Sequence, residues 1–202
     1  MTTGEFWPEK GIQSNEWTLM RRDTAPAALS GNSVAVPIGE PYWEIDVKVT
    51  VEARSLLARQ WSAFFARREG RKNTFTANRS FQTFPHQLNN LEAGFNVHSV
   101  RRDLRRIILQ NVGDYRGTEG DMISWFTANN GYYIGEMESV PTSTPAQLTG
   151  MLQPAPFAPH PTTPNYRVTK AVGEFRLASV PRPVEKAARR SWSFKAMQVI
   201  RG

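Results

Sequence analysis

At 202 residues, 40% of them hydrophobic and 21% charged, the chain is long enough to bury a sizeable core and too apolar to be a disordered polyelectrolyte. Its lack of cysteine excludes disulfide staples, thiolate metal sites and thiol nucleophiles, and 14 Gly with 14 Pro point to short strands and many turns instead of a helical bundle. The formal charge of +7 is concentrated, since residues 54–106 hold 11 Lys/Arg against 3 Asp/Glu, and such a surface suits nucleic acid, an acidic protein partner or plain solubility.

Residues 1–41 read as an irregular entry. Phe6, Trp7 and Pro8 form an apolar knot, an edge strand is expected near 16–22 and a hairpin near 28–38, with Pro26, Gly31, Pro37, Gly39 and Pro41 as punctuation. Phe6 and Trp7 could be an arm that packs on a neighbouring subunit, or a terminus pinned to its own core.

The strongest pattern is a strand, a helix and a second strand over 42–79. Trp43, Ile45, Val47, Val49 and Val51 alternate with Glu44, Asp46, Lys48 and Thr50, which is the period of a half-buried strand. From Glu52 the period changes. Ala53, Leu56, Leu57, Trp61, Phe64 and Phe65 recur at helical spacing as a core-facing stripe, with Arg54, Arg59, Arg67 and Arg68 on the rest of the helix. Gly70 should end that helix as a left-handed cap, and Thr74-Phe75-Thr76 resumes an extended chain. The helix must then lie back on a sheet.

Asn78–Glu92 reads as a long loop with Phe81 and Phe84. Residues 95–112 fit a helix or a short buried strand at Ile107-Ile108-Leu109, and the strand is favoured. Met122–Phe126 and Tyr132–Met137 flank Asn129-Asn130-Gly131 and predict a β-hairpin. Pro141–Pro164, with seven prolines, is expected to be projecting loop apart from a possible strand at Gln147–Leu152. Tyr166–Thr169 and Glu174–Leu177 look like a strand pair joined by Gly173. Pro181-Arg182-Pro183 then turns into a last alternating strand through Trp192, Phe194 and Ala196.

Catalytic signatures are sparse. There is no glycine-rich phosphate cradle, and no serine in a nucleophile-elbow context. His86, His98 and His160 lack the paired spacing of metal ligands. Asp121 and Glu136 could face each other as an acid/base pair, though a turn aspartate and an exposed strand glutamate explain them more simply. No enzymatic activity, cofactor or metal is expected. With no apolar run long enough to span a membrane and no basic-apolar leader at Met1–Glu5, the chain reads as made soluble in the cytoplasm.

Two arginine groups remain: Arg54, Arg59, Arg67, Arg68, Arg71 and Lys72 on the helix and its end, and Arg101, Arg102, Arg105 and Arg106 beyond. A nucleic-acid binder interleaves aromatics with such charges, whereas here the helix aromatics occupy the opposite stripe. Docking onto an acidic protein face fits as well, so Arg54, Arg59, Arg67, Arg68, Arg71, Lys72, Phe6 and Trp7 form the candidate subunit or partner interface, with Leu57, Trp61, Phe64 and Phe65 as the core side of the helix.

The order of parts resembles the distal tail proteins and related tail-tip components of long-tailed bacteriophages. The similarity lies in strand Trp43–Val51, a helix with Trp61 and Phe64, and Arg68-Glu69-Gly70-Arg71-Lys72-Asn73-Thr74-Phe75. It continues in Glu119-Gly120-Asp121-Met122-Ile123, Tyr132-Tyr133-Ile134-Gly135-Glu136, Leu152-Gln153-Pro154, Gly173-Glu174-Phe175-Arg176-Leu177 and the closing Ser193-Phe194. It covers about residues 42–200. The resemblance implies a non-enzymatic virion protein of the tail tip: a homohexameric ring connecting the tail tube to the baseplate hub and supporting adsorption proteins. It also implies a mainly β fold, a β-sandwich belt domain with one amphipathic helix and a smaller β-rich insertion. Those parts are expected at 1–85 plus 168–202 and at 86–167, respectively. A nucleic-acid-binding module using the arginine-rich surface of 54–106 is the alternative.

Overall fold

The computed structural model describes residues 5–21, 23–24, 36–37, 40–69, 72–79, 94–101, 105–110, 117–126, 132–144, 146–154, 166–167 and 171–200. In chain order the elements are β1 (Glu5–Phe6), β2 (Ile12–Met20), β3 (Asp23–Thr24), β4 (Val36–Pro37), β5 (Tyr42–Glu52), α1 (Leu56–Arg68) and β6 (Thr74–Asn78). There follow β7 (Gly94–Arg101), β8 (Arg106–Gln110), β9 (Met122–Phe126), β10 (Tyr132–Ser143), β11 (Gln147–Gln153), β12 (Tyr166–Arg167), β13 (Val172–Leu177), β14 (Val184–Lys186) and β15 (Arg189–Gln198). Among the described residues the protein is mainly β, with sheets packed together and one helix laid on the larger sheet, as the sequence predicts.

Seven strands form one sheet in the order β1-β6-β13-β15-β5-β2, with β14 paired to β15. Six others, β10-β11-β8-β7-β12-β9, close into a barrel, so the sheet draws on both ends of the chain and the barrel on its middle. The two strongest alternating strands meet directly: Trp192 pairs with Val49, Phe194 with Val47 and Ala196 with Ile45. Their apolar side chains share one face, and α1 covers it. Trp61 and Phe65 pack on Phe194, and Phe64 meets Phe75 edge to face at 5.3 Å between ring centres. The other face carries Glu44, Asp46 and Lys195 in ion pairs at the surface.

The sheet curls until its edge strand β2 approaches β6, the strand next to the other edge. Asn15 on the edge strand β2 donates to the Asn78 backbone carbonyl of β6 at 3.2 Å, and Asn78 in turn accepts from Trp7 Nε1 at 3.1 Å. Asn15 Oδ1 accepts from Trp17 Nε1 at 2.9 Å. Each of these buried amide groups has a partner, which is what makes a polar seam tolerable inside an apolar core.

Ser55 caps α1, accepting from Ala58 N–H at 3.1 Å, so the helix begins three residues later than the change of period suggests. Leu56 falls on the first, outward turn and is 70% exposed, not part of the buried stripe; Leu57 is half-buried against the core, while Trp61, Phe64 and Phe65 are buried. The left-handed cap is Glu69, at φ 44°, and Gly70 lies outside the described residues.

Other expectations shift in informative ways. β10 runs through Pro141 to Ser143, because the ladder to β11 shifts register between Ser139 and Thr142 and needs no N–H donor at the proline. The strand over Gln147–Gln153 is an interior barrel strand between β10 and β8, so this part of the proline-rich stretch does not project. The ambiguous 95–112 region is an antiparallel pair, β7 with β8. Tyr166-Arg167 and Glu174–Leu177 do not pair with each other: β12 joins β7 and β9 in the barrel, and β13 joins β6 and β15 in the sheet. Gly173 therefore lies within a strand. Of the hairpin expected near 28–38 only Val36-Pro37 is described, paired with Asp23-Thr24; the loop with Phe81 and Phe84 lies outside the described residues.

Barrel and sheet share a seam at β13. Met122 and Ile134 of the barrel join the sheet's core, and Val172 N–H donates to Ser124 Oγ at 2.9 Å. A Cβ on Gly173 would stand 2.7 Å from Phe175 Cε2 and 2.9 Å from Ile134 Cγ2, so glycine is required by close approach. Gly173→Val should cost about 1–3 kcal/mol through overpacking, read as a lowered urea midpoint with barrel and sheet still unfolding together.

The barrel core is closed by Trp125 stacked on Tyr133 at 4.0 Å, with the Tyr133 hydroxyl donating to the Pro154 carbonyl at 2.6 Å. Burial pushes the Tyr133 phenol well above its ordinary 10.0. The folded protein thus holds this proton more tightly than the unfolded chain, so the associated stability is intact below pH about 10 and is lost as the pH rises beyond it. In an alkaline titration the phenolate signal of this tyrosine should appear only together with unfolding; its appearance in native protein would contradict the burial.

Candidate interface surface

The arginine-rich face separates into two ends with different electrostatics. At the C-terminal end of α1, Arg68 is 4% exposed and lies on the core side of the helix. Its guanidinium sits 4.8 Å from the centre of the Phe64 ring, donates to the Thr74 carbonyl and pairs with Glu5. Arg67 grips both oxygens of the same carboxylate, Nε donating to Oε2 at 2.9 Å and Nη2 to Oε1, and Lys72 bonds Glu69 at 3.0 Å. Desolvation lowers the Arg68 pKa, opposed by the adjacent Glu5 charge. Two arginines are therefore charge-paired within the chain by the N-terminal strand.

This corrects the assignment of Arg68 and Trp7 to a partner interface. Trp7 is 2% exposed, stacked on Phe75 and bonded to Asn78, because β1 runs parallel to β6 and carries it into the chain's own core. Phe6 points the other way and is 55% exposed. Arg71 lies outside the described residues.

The N-terminal end of α1 is different. Arg54 and Arg59 are exposed, and among the described residues neither has an ion-pair partner. Beside them stands the β14–β15 hairpin: Ala53 N–H donates to the Ala188 carbonyl at 2.8 Å, Arg189 pairs across the ladder with Glu52, and Arg190 reaches Ser62 Oγ at 3.4 Å. The hairpin brings Lys186 and Arg189, and the segment entering it Arg182, all exposed and likewise without an ion-pair partner among the described residues; Arg190 is matched by Glu185. Those three cations lie 76 to 83 residues beyond the end of the basic segment at Arg106 and escape a reading of charge along the chain. The signal that could find them is Pro181-Arg182-Pro183 followed by Lys186 and Arg189-Arg190 around a two-residue turn.

That turn is strained. Ala187 and Ala188 adopt φ 49° and 62°, the left-handed pair that a two-residue hairpin demands and that Asn-Gly fills more easily. Replacing Ala187-Ala188 by Asn-Gly should raise stability by about 1 kcal/mol, seen as a higher urea midpoint.

The second arginine group sits on the barrel. Arg105 occupies the β7–β8 turn at φ 51° and pairs with Glu138 at 2.9 Å, Arg106 is half-buried, and Arg102 lies outside the described residues. The Asp121 carboxylate accepts from Thr118 N–H at 2.9 Å to close its turn, and Glu136 lies 3.6 Å from Arg79. Glu136 does line a cleft of about 440 Å³ between sheet and barrel, with Leu19, Trp43, Glu119, Glu138 and Gln153. His98 is on β7, while His86 and His160 lie outside the described residues; no group of three potential metal ligands occurs among the described residues. No helix among the described residues is long and apolar enough to cross a membrane.

Comparison with protein-family models gives no match, and comparison with curated proteins gives none either.

Proposed function

We propose that the chain is a structural, non-enzymatic component of a phage tail tip. In this reading six copies form a ring between the tail tube and the hub, residues 1–85 and 168–202 form the belt and 86–167 an outward insertion. The protein is then made in the host cytoplasm and resides in the virion at the tail tip. The observation that carries the proposal is topological. A sheet built from both chain ends, with the one helix on its apolar face, is interrupted between β6 and β13 by residues that close their own barrel, in the order of the tail-tip motifs. A head-to-tail ring also accounts for a subunit with edge strands and an exposed Phe6, because such contacts close on themselves.

Nucleic-acid binding through the arginine-rich surface of residues 54–106 is the second reading, and the charge of Lys186 and Arg189, exposed without ion-pair partners among the described residues, would add to such a surface. An antibody against the purified chain, applied to virions and imaged after gold labelling, should decorate the distal end of the tail. Decoration of the capsid interior in opened particles, with none on the tail, would support the alternative.

A further inference from the structure

We propose that the patch formed by the start of α1 and the β14–β15 hairpin docks an acidic, aliphatic-bearing surface of a different protein. Five cations, Arg54, Arg59, Arg182, Lys186 and Arg189, stand exposed there without ion-pair partners among the described residues, while at the other end of α1 Arg67 and Arg68 are matched by Glu5, and Lys72 beyond the helix by Glu69. With Arg190 added and Glu52 and Glu185 subtracted, the patch carries a net charge of four.

Charge alone would also suit a polyanion such as DNA, but the neutral side chains decide. The aliphatic side chains among them are exposed at the same elements: Leu56 at 70% on the first turn of α1, Val184 at 64% on β14 and Val180 at 62% on the segment entering it. Arginine is enriched at protein interfaces, and exposed aliphatic side chains beside it give a protein partner apolar area to bury, which a nucleic-acid backbone does not use. A single-strand binder would instead place aromatic rings among the cations, and the aromatics of α1 are buried on its other side. A second copy is the weaker occupant, since a chain of charge +7 repels its like through a patch of this sign. The Ala187-Ala188 turn leaves the hairpin tip without long side chains, so no bulky group stands between Lys186 and Arg189.

This inference rests on the assembly reading only for placing the partner in the same particle; the charge and exposure argument stands by itself. It is tested on the full chain by fluorescence anisotropy with three labelled probes: a short glutamate-leucine peptide, a matched glutamate-serine peptide, and duplex DNA of the same net charge. The glutamate-leucine peptide should bind best. Arg182→Glu with Lys186→Glu should weaken it by roughly tenfold or more, as should Arg54→Glu with Arg59→Glu, and Leu56→Ser should erase the preference for leucine over serine. Unchanged thermal unfolding and unchanged solution mass in all variants would assign the losses to the patch and not to folding or ring closure. Equal binding by the charge-reversed variants, tighter binding of the DNA, or a leucine preference that survives Leu56→Ser would each overturn the proposal while leaving the ring reading untouched. A monomeric wild type that still shows the leucine preference would sink the ring and keep the patch.

Discussion

Trp61→Ala should remove most of the protein's stability. Trp61 is fully buried, meets Phe64 and Phe65 at 5.7 and 5.6 Å between ring centres, and donates its indole N–H to the Lys10 carbonyl at 2.9 Å. It therefore ties α1 to the sheet and to the N-terminal segment at once. Deleting so large a side chain leaves a cavity that neighbouring rings cannot fill, at a cost of about 3–5 kcal/mol out of a total of about 5–15 for a typical domain. Chemical denaturation should give a midpoint far below wild type, or the variant should collect in the insoluble fraction. Arg59→Ala, on the exposed side of the same helix, should stay within about 0.5 kcal/mol of wild type. Equal midpoints for Trp61→Ala and wild type would refute the packing of the helix on the sheet.

Glu5→Gln should have the next largest effect. One carboxylate serves Arg67 and Arg68, and Arg68 is the cation held out of water between Phe64 and the Thr74 carbonyl. Removing the anion leaves a buried charge without its counterion, which costs more than the pair itself contributes. Because Glu5 is itself partly exposed, about 1–3 kcal/mol is expected instead of the larger loss seen for fully buried pairs. Arg68→Met in the same chain should recover most of that loss, since an apolar side chain of similar length needs no counterion there. Near-additive losses in the double variant, measured from denaturation midpoints, would show that the two residues do not act as a pair.

The elements most legible in the sequence are those whose local pattern and tertiary role agree. The alternation of Trp43 to Val51 and of Trp192 to Ala196 reads directly as two strands with one buried face, and those strands pair. The aromatic stripe of α1 is likewise visible, because only helical spacing collects Trp61, Phe64 and Phe65 on one side. Arg68 was not legible as core. A cation on a buried stripe becomes tolerable only when Glu5, far away in sequence, is brought beside it by a two-residue parallel strand that has no pattern of its own.

Pairing between sheets was equally hidden. Tyr166-Arg167 and Val172–Leu177 are near neighbours in the chain, yet one belongs to the barrel and the other to the curled sheet, a choice made by β7 and β6 and not by the intervening residues. The basic patch followed the same rule. Arg54 and Arg59 could be singled out, but their companions Arg182, Lys186 and Arg189 come alongside only through the Ala53–Ala188 hydrogen bond and the register of β15 on β5. Charge counted along a segment finds two of the five cations on a surface that the fold assembles from two segments.

The ring is the central claim, and the mass of the native protein in solution tests it most directly. Light scattering on the purified full chain across a wide concentration range should give six times the 22.8 kDa of one chain, with images of the same sample showing closed rings. A mass of one chain at every concentration, accompanied by DNA binding that weakens steeply with salt, would contradict it.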